Sequence, residues 1–205
     1  MLTFEQFLHE TAEKGEAVNL LFEERFFALV GILEKISDPL IAEEIPHEVI
    51  GGVAMLIYVE EADPSQTPLT RDVDIMIHRS DLERVKEIAQ RHGFRFRHAA
   101  GVDMLLYGDK DSAKNAVHLV FSGEKVEPGQ ATPNPPLSPE RKSIHGKEFW
   151  VIPMIDLIRM KLSAYRLKDQ SHIKVMDAVG LITPEVERAL PKRLQSRLQR
   201  VREKK

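Results

Sequence analysis

The chain has 205 residues, a formal net charge of −3, 42% hydrophobic residues and 30% charged residues. These proportions are typical of an ordinary soluble globular protein, and we expect one sizeable domain with a small helical addition. The absence of cysteine excludes disulfides, thiolate nucleophiles and cysteine-bound zinc. No run of eighteen apolar residues and no signal-like start are visible, so we expect a cytoplasmic protein without a membrane span.

The charges are unevenly distributed along the chain. Residues 1–48 hold eleven acidic and three basic residues, whereas 188–205 hold eight basic residues and a single acidic one. A basic C-terminal segment can contact phosphates or nucleic acid. The alternative is that the same charges only cover a solvated helix face.

The first 46 residues are predicted to form a helical segment packed on the core. Thr3-x-x-Gln6 has the pattern of a capping box that opens a short helix. A second helix is expected over about 16–36, and Asp38-Pro39 is expected to end it, because a proline disfavours helical geometry in the residue before it.

Residues 47–152 alternate strand-like and helix-like segments and are predicted to form an α/β core. Strands are expected over 48–50, 71–78, 94–98, 103–107 and 116–121, a hairpin over 142–152 that turns near Gly146, and helices over 52–60 and 80–92. Ser80-x-x-Glu83 resembles a capping box for the second of these helices, and Gly93 is expected to end it. The five prolines of 123–139 predict a long surface segment.

Residues 153–205 are predicted to form a C-terminal helical segment. Pro153 opens a helix that we expect to continue through Leu167, and a second helix is expected over 169–179. Thr183-Pro184 starts a third, which continues into the basic C-terminal residues.

Two aspartates, Asp72 and Asp74, lie on the strand predicted over 71–78. Alternate side chains share one face of a strand, so both carboxylates point the same way while Val73 and Ile75 point into the core. Magnesium prefers oxygen ligands and is commonly held by one or two carboxylates together with substrate phosphates. The pair predicts a site for a divalent metal and a triphosphate, although an Asp-x-Asp strand is more often a polar sheet edge.

Gly51 and Gly52 follow the first strand of the core and precede a helix. Glycine lets backbone N–H groups approach an anion closely, and the N-terminus of a helix is the positive end of its dipole. A Gly-Gly pair alone is usually a turn. Followed by the two aspartates, it predicts a phosphate site.

Gly51-Gly52, together with Thr70-Arg71-Asp72-Val73-Asp74-Ile75, resembles the signature of the DNA polymerase β-like nucleotidyltransferase superfamily. The pattern is most similar to that of its AbiEii-type bacterial members, and RMKLSAYRLKD over 159–169 is similar to a helix that follows the sheet in those members. The resemblance covers roughly 47–182. It implies a nucleotidyltransferase-like mixed sheet flanked by helices.

The resemblance also implies roles for individual residues. Gly51, Gly52, Thr70, Arg71 and Lys161 would bind a nucleoside triphosphate, and the two aspartates of the strand would hold Mg²⁺ and be catalytic. The acceptor hydroxyl could belong to an RNA, a protein or a small molecule. Family members also suggest a toxin of a toxin–antitoxin pair, with an antitoxin as partner.

The third carboxylate of active family members is missing at the expected place, which His118 occupies. This histidine could act as a general base or contact a phosphate when protonated. It could equally mark a site that has lost catalysis. Asp103 on the preceding strand could supply the carboxylate instead, and Glu124 is a weaker candidate.

Two other groups of polar residues were weighed. Arg166, Lys168 and Asp169 could form a cluster that directs cations at an anionic ligand, or Asp169 could simply cap a helix. The remaining histidines, His172 among them, show no metal-ligand spacing and are interpreted as scattered polar residues.

Two functions from different classes therefore remain open. The first is an enzyme that transfers a nucleoside monophosphate from a triphosphate to a hydroxyl acceptor with magnesium. The second is a nucleotide-binding or protein-interaction module that retains the fold without turnover.

Overall fold

The computed structural model describes residue 24 and residues 26–66, 70, 72–108, 116–144 and 146–204. The capping box predicted at Thr3 and the predicted site residue Arg71 lie outside the described residues.

Over these residues the chain forms a seven-stranded mixed sheet. The strands are β1 (His47–Ile50), β2 (Val73–Ile77), β3 (Phe94–Ala99), β4 (Val102–Tyr107), β5 (Ala116–Phe121), β6 (Glu140–Ile144) and β7 (Lys147–Val151). Their order across the sheet is β3-β4-β5-β2-β1-β7-β6. β2 is parallel to β5, β1 is parallel to β7, and the other neighbouring pairs are antiparallel. The predicted mixed sheet is confirmed.

Helices cover the sheet. They are α1 (26–42), α2 (Gly51–Ala62), α3 (Leu82–Arg91), α4 (Met154–Ala164), α5 (Leu167–Ala178), α6 (Pro184–Ala189) and α7 (Lys192–Glu203). A buried hydrogen bond joins α1 to the sheet, since the Ser37 hydroxyl of α1 donates to His47 Nε2 of β1 at 3.1 Å. α2 contacts β1 and β2 as well as α4 and α5, so it lies between the sheet and the C-terminal helices.

The alternation predicted for the aspartate strand is present in β2. Val73, Ile75 and Ile77 are buried on one face, while Asp74 lies on the other, as the period of two requires. α2 shows the opposite pattern, because all its residues from Gly52 to Val59 are buried. A helix that is apolar all round belongs in the interior, and here it connects the sheet to α4 and α5.

The prediction that Asp38-Pro39 ends the first helix is wrong, because α1 continues to residue 42. A proline removes one backbone donor from a helix interior. However, Ile36 and Leu40 lie one turn apart on the same side of α1, and both are fully buried. Their packing maintains the helix across the proline.

Three further boundaries differ from the predictions. α3 begins at Leu82 without a side-chain cap, so the capping box predicted at Ser80 is not formed. α4 ends at Ala164 because Tyr165 adopts a left-handed conformation with φ 59°, and the helix predicted through Leu167 is therefore shorter. Pro191 separates α6 from α7, since it lies in extended geometry between them.

The proline-rich segment has no regular structure before β6 begins, as predicted, but it is not confined to the surface. Gln130 and Asn134 are buried, and Asn134 Nδ2 donates to Phe121 O at 2.9 Å. Ser138 N donates to Glu48 Oε2 at 3.2 Å. The segment is therefore fastened to β5 at one end and to β1 at the other.

A single hydrophobic cluster joins elements from all parts of the described chain, from Phe26 on α1 to Val201 on α7. The division of the chain into three segments, with boundaries after residues 46 and 152, stays a prediction. No described helix has the length and apolar character needed to cross a membrane.

Candidate active site

The candidate active site lies where β1 ends and β2 and β5 begin. Asp74 on β2 is paired with Ile50 of β1 on one side and with His118 of β5 on the other. Residues directly opposite each other on neighbouring strands share a face. The site therefore combines an aspartate and a histidine from adjacent strands with the glycines that follow Ile50.

Gly51 brings the start of α2 against the Asp74 carboxylate. Its φ is +70°, and a Cβ at this position would lie only 2.0 Å from Asp74 Oδ2. A larger residue would be strained in the left-handed region and would also displace the carboxylate. Glycine is thus required here on two independent grounds, backbone conformation and space.

Gly52 has the same relation to Thr70. A Cβ on Gly52 would lie 2.1 Å from Thr70 Oγ1, a buried hydroxyl that has no hydrogen-bond partner within the described part of the chain. Ile50, at the N-cap of α2, provides no side-chain cap, and the first turn has no acidic residue. Amides that no side chain caps therefore lie beside a hydroxyl that has no partner among the described residues, and this arrangement suits an anion.

Asp72 and Asp74 are the candidate oxygen ligands of the site. Asp72 precedes β2, and its Oδ2 lies 3.7 Å from Lys168 Nζ. Across the residues that the structure describes, no three His, Cys, Asp or Glu side chains form a group that could hold a metal ion. Two carboxylates fit Mg²⁺ that arrives with a nucleotide, because phosphate oxygens then complete its ligands.

His118 Nδ1 donates to Asp74 Oδ1 at 3.0 Å. This hydrogen bond is the main cause that raises the pKa of His118 above its ordinary value; burial acts in the opposite direction. His118, which the resemblance matches to the third carboxylate, lies directly opposite Asp74 on the neighbouring strand. It engages one oxygen of Asp74 and leaves Oδ2, the oxygen beside Gly51, available.

Asp103 is not in the site. Its neighbour Met104 is paired with His118, whereas Asp103 is paired with Leu119, so its carboxylate lies on the opposite face of the sheet. There it accepts hydrogen bonds from His98 Nδ1 at 2.5 Å and from Arg79 Nη1 at 3.3 Å. The hypothesis that Asp103 supplies the missing carboxylate does not fit this placement.

Glu124 is engaged by the same arginine as Asp103. Arg79 donates to both of its carboxylate oxygens, at 2.9 and 2.6 Å. The missing third carboxylate is therefore not replaced by either of the two acidic residues considered from the sequence.

Lys161 is a buried cation on α4 near the aspartates. Burial lowers its pKa to about 8, while the carboxylates of Asp169 and Asp74 act to raise it. Its ammonium donates to His172 Nδ1 on α5 at 2.9 Å. A pKa of about 8 leaves most of Lys161 charged at neutral pH, and the attraction of Asp74 is one of the effects that oppose the loss of this charge.

His172 is a site residue that the sequence analysis missed. Burial, followed by the charge of Lys161, lowers its pKa to about 4, so the ring is neutral and can accept from the ammonium. The two residues lie eleven positions apart on different helices. No local spacing pattern could have paired them.

The junction between α4 and α5 holds the polar cluster predicted from the sequence. Asp169 Oδ2 accepts from Arg166 N at 3.2 Å and from Arg166 Nε at 2.8 Å, and it therefore caps α5. Lys168 is directed at Asp72. Lys168 therefore faces the aspartates of the candidate site, while Asp169 stabilises the start of α5.

Comparison with known proteins supports the fold. The sequence matches no known family model and no curated protein. Among solved structures, it is similar to an antigenic nucleotidyltransferase-like protein from Paracoccidioides brasiliensis, with 16% identity over 86% of this chain and 88% of that chain and a TM-score of 0.54. ANT(2″)-Ia in complex with adenylyl-2″-tobramycin is 13% identical over 85% of this chain and 97% of that chain, with a TM-score of 0.47. The chain has a nucleotidyltransferase-like fold.

Proposed function

We propose that this protein is a magnesium-dependent nucleotidyltransferase, in which an acceptor hydroxyl attacks the α-phosphate of a nucleoside triphosphate and pyrophosphate leaves. The proposal rests mainly on one observation. At Gly51 there is no room for a Cβ beside Asp74 Oδ2, so a candidate metal-binding carboxylate directly adjoins an uncapped helix N-terminus. This is the arrangement that a metal-bound triphosphate needs.

The phosphates would bind at the start of α2. The amides of Gly51 and Gly52 have no side-chain cap to satisfy them, and Thr70 Oγ1 can donate to a phosphate oxygen. Arg71, by resemblance, would add a cation. These donors orient the triphosphate with little competition from the protein's own acceptors.

Asp72 and Asp74 would hold Mg²⁺ together with the phosphates. The bound metal offsets the charge that develops on the transferred phosphoryl group. His118 keeps the Asp74 carboxylate in place through one oxygen, and it lies on the face where the acceptor hydroxyl must approach. In this proposal it assists the acceptor as a proton acceptor or by orienting the hydroxyl.

Lys161 and Lys168 would offset negative charge from the side of α4 and α5. Lys161 is buried, so its charge acts in a region that water screens poorly. His172 holds its ammonium in one position. Lys168 is more exposed, and its 3.7 Å distance from Asp72 allows it to move to a phosphate.

A second candidate function is nucleotide binding without turnover. The observation that favours it is the hydrogen bond between His118 and Asp74, because a histidine occupies the place of a carboxylate that active family members use. A protein-interaction module with this fold would retain the phosphate site. It would release no pyrophosphate with any acceptor.

Membership of the AbiEii-type subfamily and a role as a toxin are parts of the same proposal. They are supported by Lys161 and by the Arg166-Leu167-Lys168-Asp169 sequence that follows it. A toxin of this kind would arrest growth when expressed, and Asp72→Ala would relieve the arrest. Arrest that persists unchanged in this variant would separate any toxicity from the candidate site.

Calorimetric titration tests the nucleotide site without knowledge of the acceptor. Mg-ATP and Mg-CTP are titrated into the wild type, into Asp72→Asn/Asp74→Asn, and into the control Glu83→Gln/Glu148→Gln, which removes two exposed carboxylates elsewhere. We expect binding by the wild type and the control and none by the aspartate variant. Equal binding by all three would refute the site, and absence of binding by the wild type would refute the function.

Turnover separates the two candidate functions. Protein that binds Mg-nucleotide is incubated with α-labelled triphosphate and with separate pools of RNA, protein and small molecules. Label transfer with release of pyrophosphate supports the enzyme. Binding without transfer to any pool supports the module.

A further inference from the structure

Four cations form a row along one side of α7 and directly after its end. Arg193, Arg197 and Arg200 follow the spacing i, i+4, i+7, which places them along one stripe of the helix over about 10 Å at 1.5 Å per residue. Lys204 follows the last helical residue in extended geometry. The neighbouring stripe of α7 is apolar and buried, formed by Leu194, Leu198 and Val201. We call the four cations the basic row.

No carboxylate of the described chain forms an ion pair with the basic row. Two nearby arginines outside the row do form ion pairs. Arg202 is paired with Asp177 at 2.7 Å and with Glu187 at 2.7 Å, and Arg188 is paired with Glu185. The fold therefore neutralises cations beside the row and leaves the row itself unneutralised, although the whole chain has a net charge of −3.

The row is also crowded with like charge. Burial is the main cause that lowers the pKa of Arg197, and the charges of Arg193 and Arg200 lower it further. At the N-terminus of α7, Pro191 gives no side-chain cap and the first turn has no acidic residue. The helix dipole therefore adds positive potential at the Arg193 end of the row. A polyanion would relieve this repulsion.

The row is fastened to the junction that forms one wall of the candidate active site. Arg197 Nη1 donates to Leu162 O at 2.7 Å and to Ser163 O at 2.6 Å, the last carbonyls of α4. Arg197 and Lys204 both lie over the ring of Tyr165, at 4.9 and 5.9 Å from its centre.

This contact joins the basic row to the α4–α5 junction. Tyr165 is followed directly by Arg166, and Lys168, two residues further on, reaches Asp72. A bound polyanion lying along the row would therefore extend toward the aspartates.

The chemistry of the exposed surface favours a nucleic acid over a protein or a membrane. Leu194, Leu198 and Val201, the apolar residues of α7, are all buried, whereas protein interfaces have an apolar core and membrane-bound helices insert an apolar face. RNA needs no such anchor, because its charge recurs at every nucleotide. It also carries the hydroxyls that the candidate site would use as acceptor.

We propose that the basic row binds the phosphate backbone of RNA and, resting on the proposed function, that RNA supplies the acceptor hydroxyl. Phosphates along the strand contact successive cations of the row. The strand then passes the α4–α5 junction, and a ribose hydroxyl reaches the aspartates. Attack of its oxygen on the α-phosphorus forms one P–O bond and breaks the bond to pyrophosphate, which leaves, while the proton of the hydroxyl passes to Nε2 of His118.

The test measures RNA binding by the full chain in the absence of nucleotide. The anisotropy of a labelled single-stranded RNA of twelve nucleotides is followed from 50 to 200 mM salt. Four phosphate contacts give a slope of log K against log salt of about −2.8, so the wild type should lose about 50-fold in affinity over this range. Arg193→Gln/Arg200→Gln should reduce the slope to about −1.4 and the loss to about sevenfold.

A matched control removes two arginines elsewhere. Arg141→Gln/Arg188→Gln should keep the wild-type slope, because Arg141 is on β6 and Arg188 is paired on α6. Equal weakening in the two double variants, or no binding at 50 mM salt, would refute the surface. If polyglutamate competes for the basic row as well as unlabelled RNA does, the ligand is an acidic protein and not RNA. If DNA of the same sequence binds more tightly than the RNA, the ligand is DNA.

Failure of this proposal can be told apart from failure of the proposed function. RNA binding is measured without nucleotide and should survive Asp74→Asn, because Asp74 lies on β2, outside the basic row. Binding through the row by a chain that does not bind Mg-nucleotide would support the RNA surface and refute the enzyme. Label transfer to a protein or a small molecule but not to RNA would refute RNA as the acceptor.

Discussion

Replacement of Glu48 by glutamine should stabilise the protein at neutral and alkaline pH. Glu48 is fully buried on β1. Its Oε2 accepts from Ser138 N at 3.2 Å, and its Oε1 has no hydrogen-bond partner among the described residues. Burial is the main cause that raises its pKa from 4.5 to about 7, and the charge of Asp156 adds to the effect.

The sign of the pH dependence follows from these two values. The folded protein holds the Glu48 proton more tightly than the unfolded chain, so the free energy of unfolding decreases as pH rises from about 4.5 through 7. Raising the pKa from 4.5 to about 7 corresponds to about 3 kcal/mol once the carboxyl is ionised in both states, because each pKa unit is worth about 1.4 kcal/mol. Glutamine keeps the oxygen that accepts from Ser138 and avoids this cost.

Urea unfolding of the wild type and Glu48→Gln at pH 5 and pH 8 measures the effect. The advantage of the variant should grow by about 2–3 kcal/mol between the two pH values, which is a shift of about 1 M in the midpoint at a typical slope. The other titrating groups are the same in both proteins, so their contributions cancel in the difference between the two free energies of unfolding. Glu148→Gln, at an exposed position on β7, should show no such growth.

Two results would refute the reasoning about Glu48. A difference between variant and wild type that does not change with pH would mean that Glu48 ionises in the folded protein as it does in water. A variant less stable than the wild type at pH 8 would mean that the buried charge is compensated by a partner.

Three further predictions concern the candidate site, and Mg-ATP calorimetry reads out each of them. Gly51→Ala should abolish binding because its Cβ would displace the carboxylate of Asp74, the proposed metal ligand. Gly180→Ala, at a position with a similar positive φ but open space, should cost only about 1 kcal/mol of stability and leave binding intact. His172→Leu should remove the acceptor of the Lys161 ammonium and lower the pKa of Lys161 below about 8, so the pH above which binding declines should fall; an unchanged pH profile would contradict this role. Thr70→Val should weaken binding about tenfold, the value of a hydrogen bond to a charged group, while the melting temperature stays the same or rises, and equal affinity would show that the hydroxyl does not touch the nucleotide.

The part of the fold that could be predicted from the sequence depends on local patterns. The alternation of β2, the left-handed Gly93 after α3 and the turn at Gly146 are set by neighbouring residues along the chain. In these cases the spacing of residue types contains the information that the structure uses. The placement of His118 on a strand beside Asp74 was expected from the family resemblance instead.

The failures have a different physical origin. Asp103 faces away from the site because the register between β4 and β5 decides which residues share a face, and a shift of one residue reverses every side chain. Tyr165 ends α4 without any glycine or proline at that position. The pairing of Lys161 with His172 depends on how two helices pack. None of these features is encoded in a short stretch of sequence.

The burial of α2 from Gly52 to Val59 determines how its N-terminus would meet a ligand. Hydrogen-bonded amides on a helix enclosed by the sheet, α4 and α5 become exposed to exchange only when much of the protein opens, so the backbone from Met55 to Val59 should be among the slowest to exchange hydrogen. A ligand that binds there would order very little of the chain. Its affinity would then reflect the contacts themselves, with a small entropic penalty, because the binding surface is preorganised by the hydrophobic core.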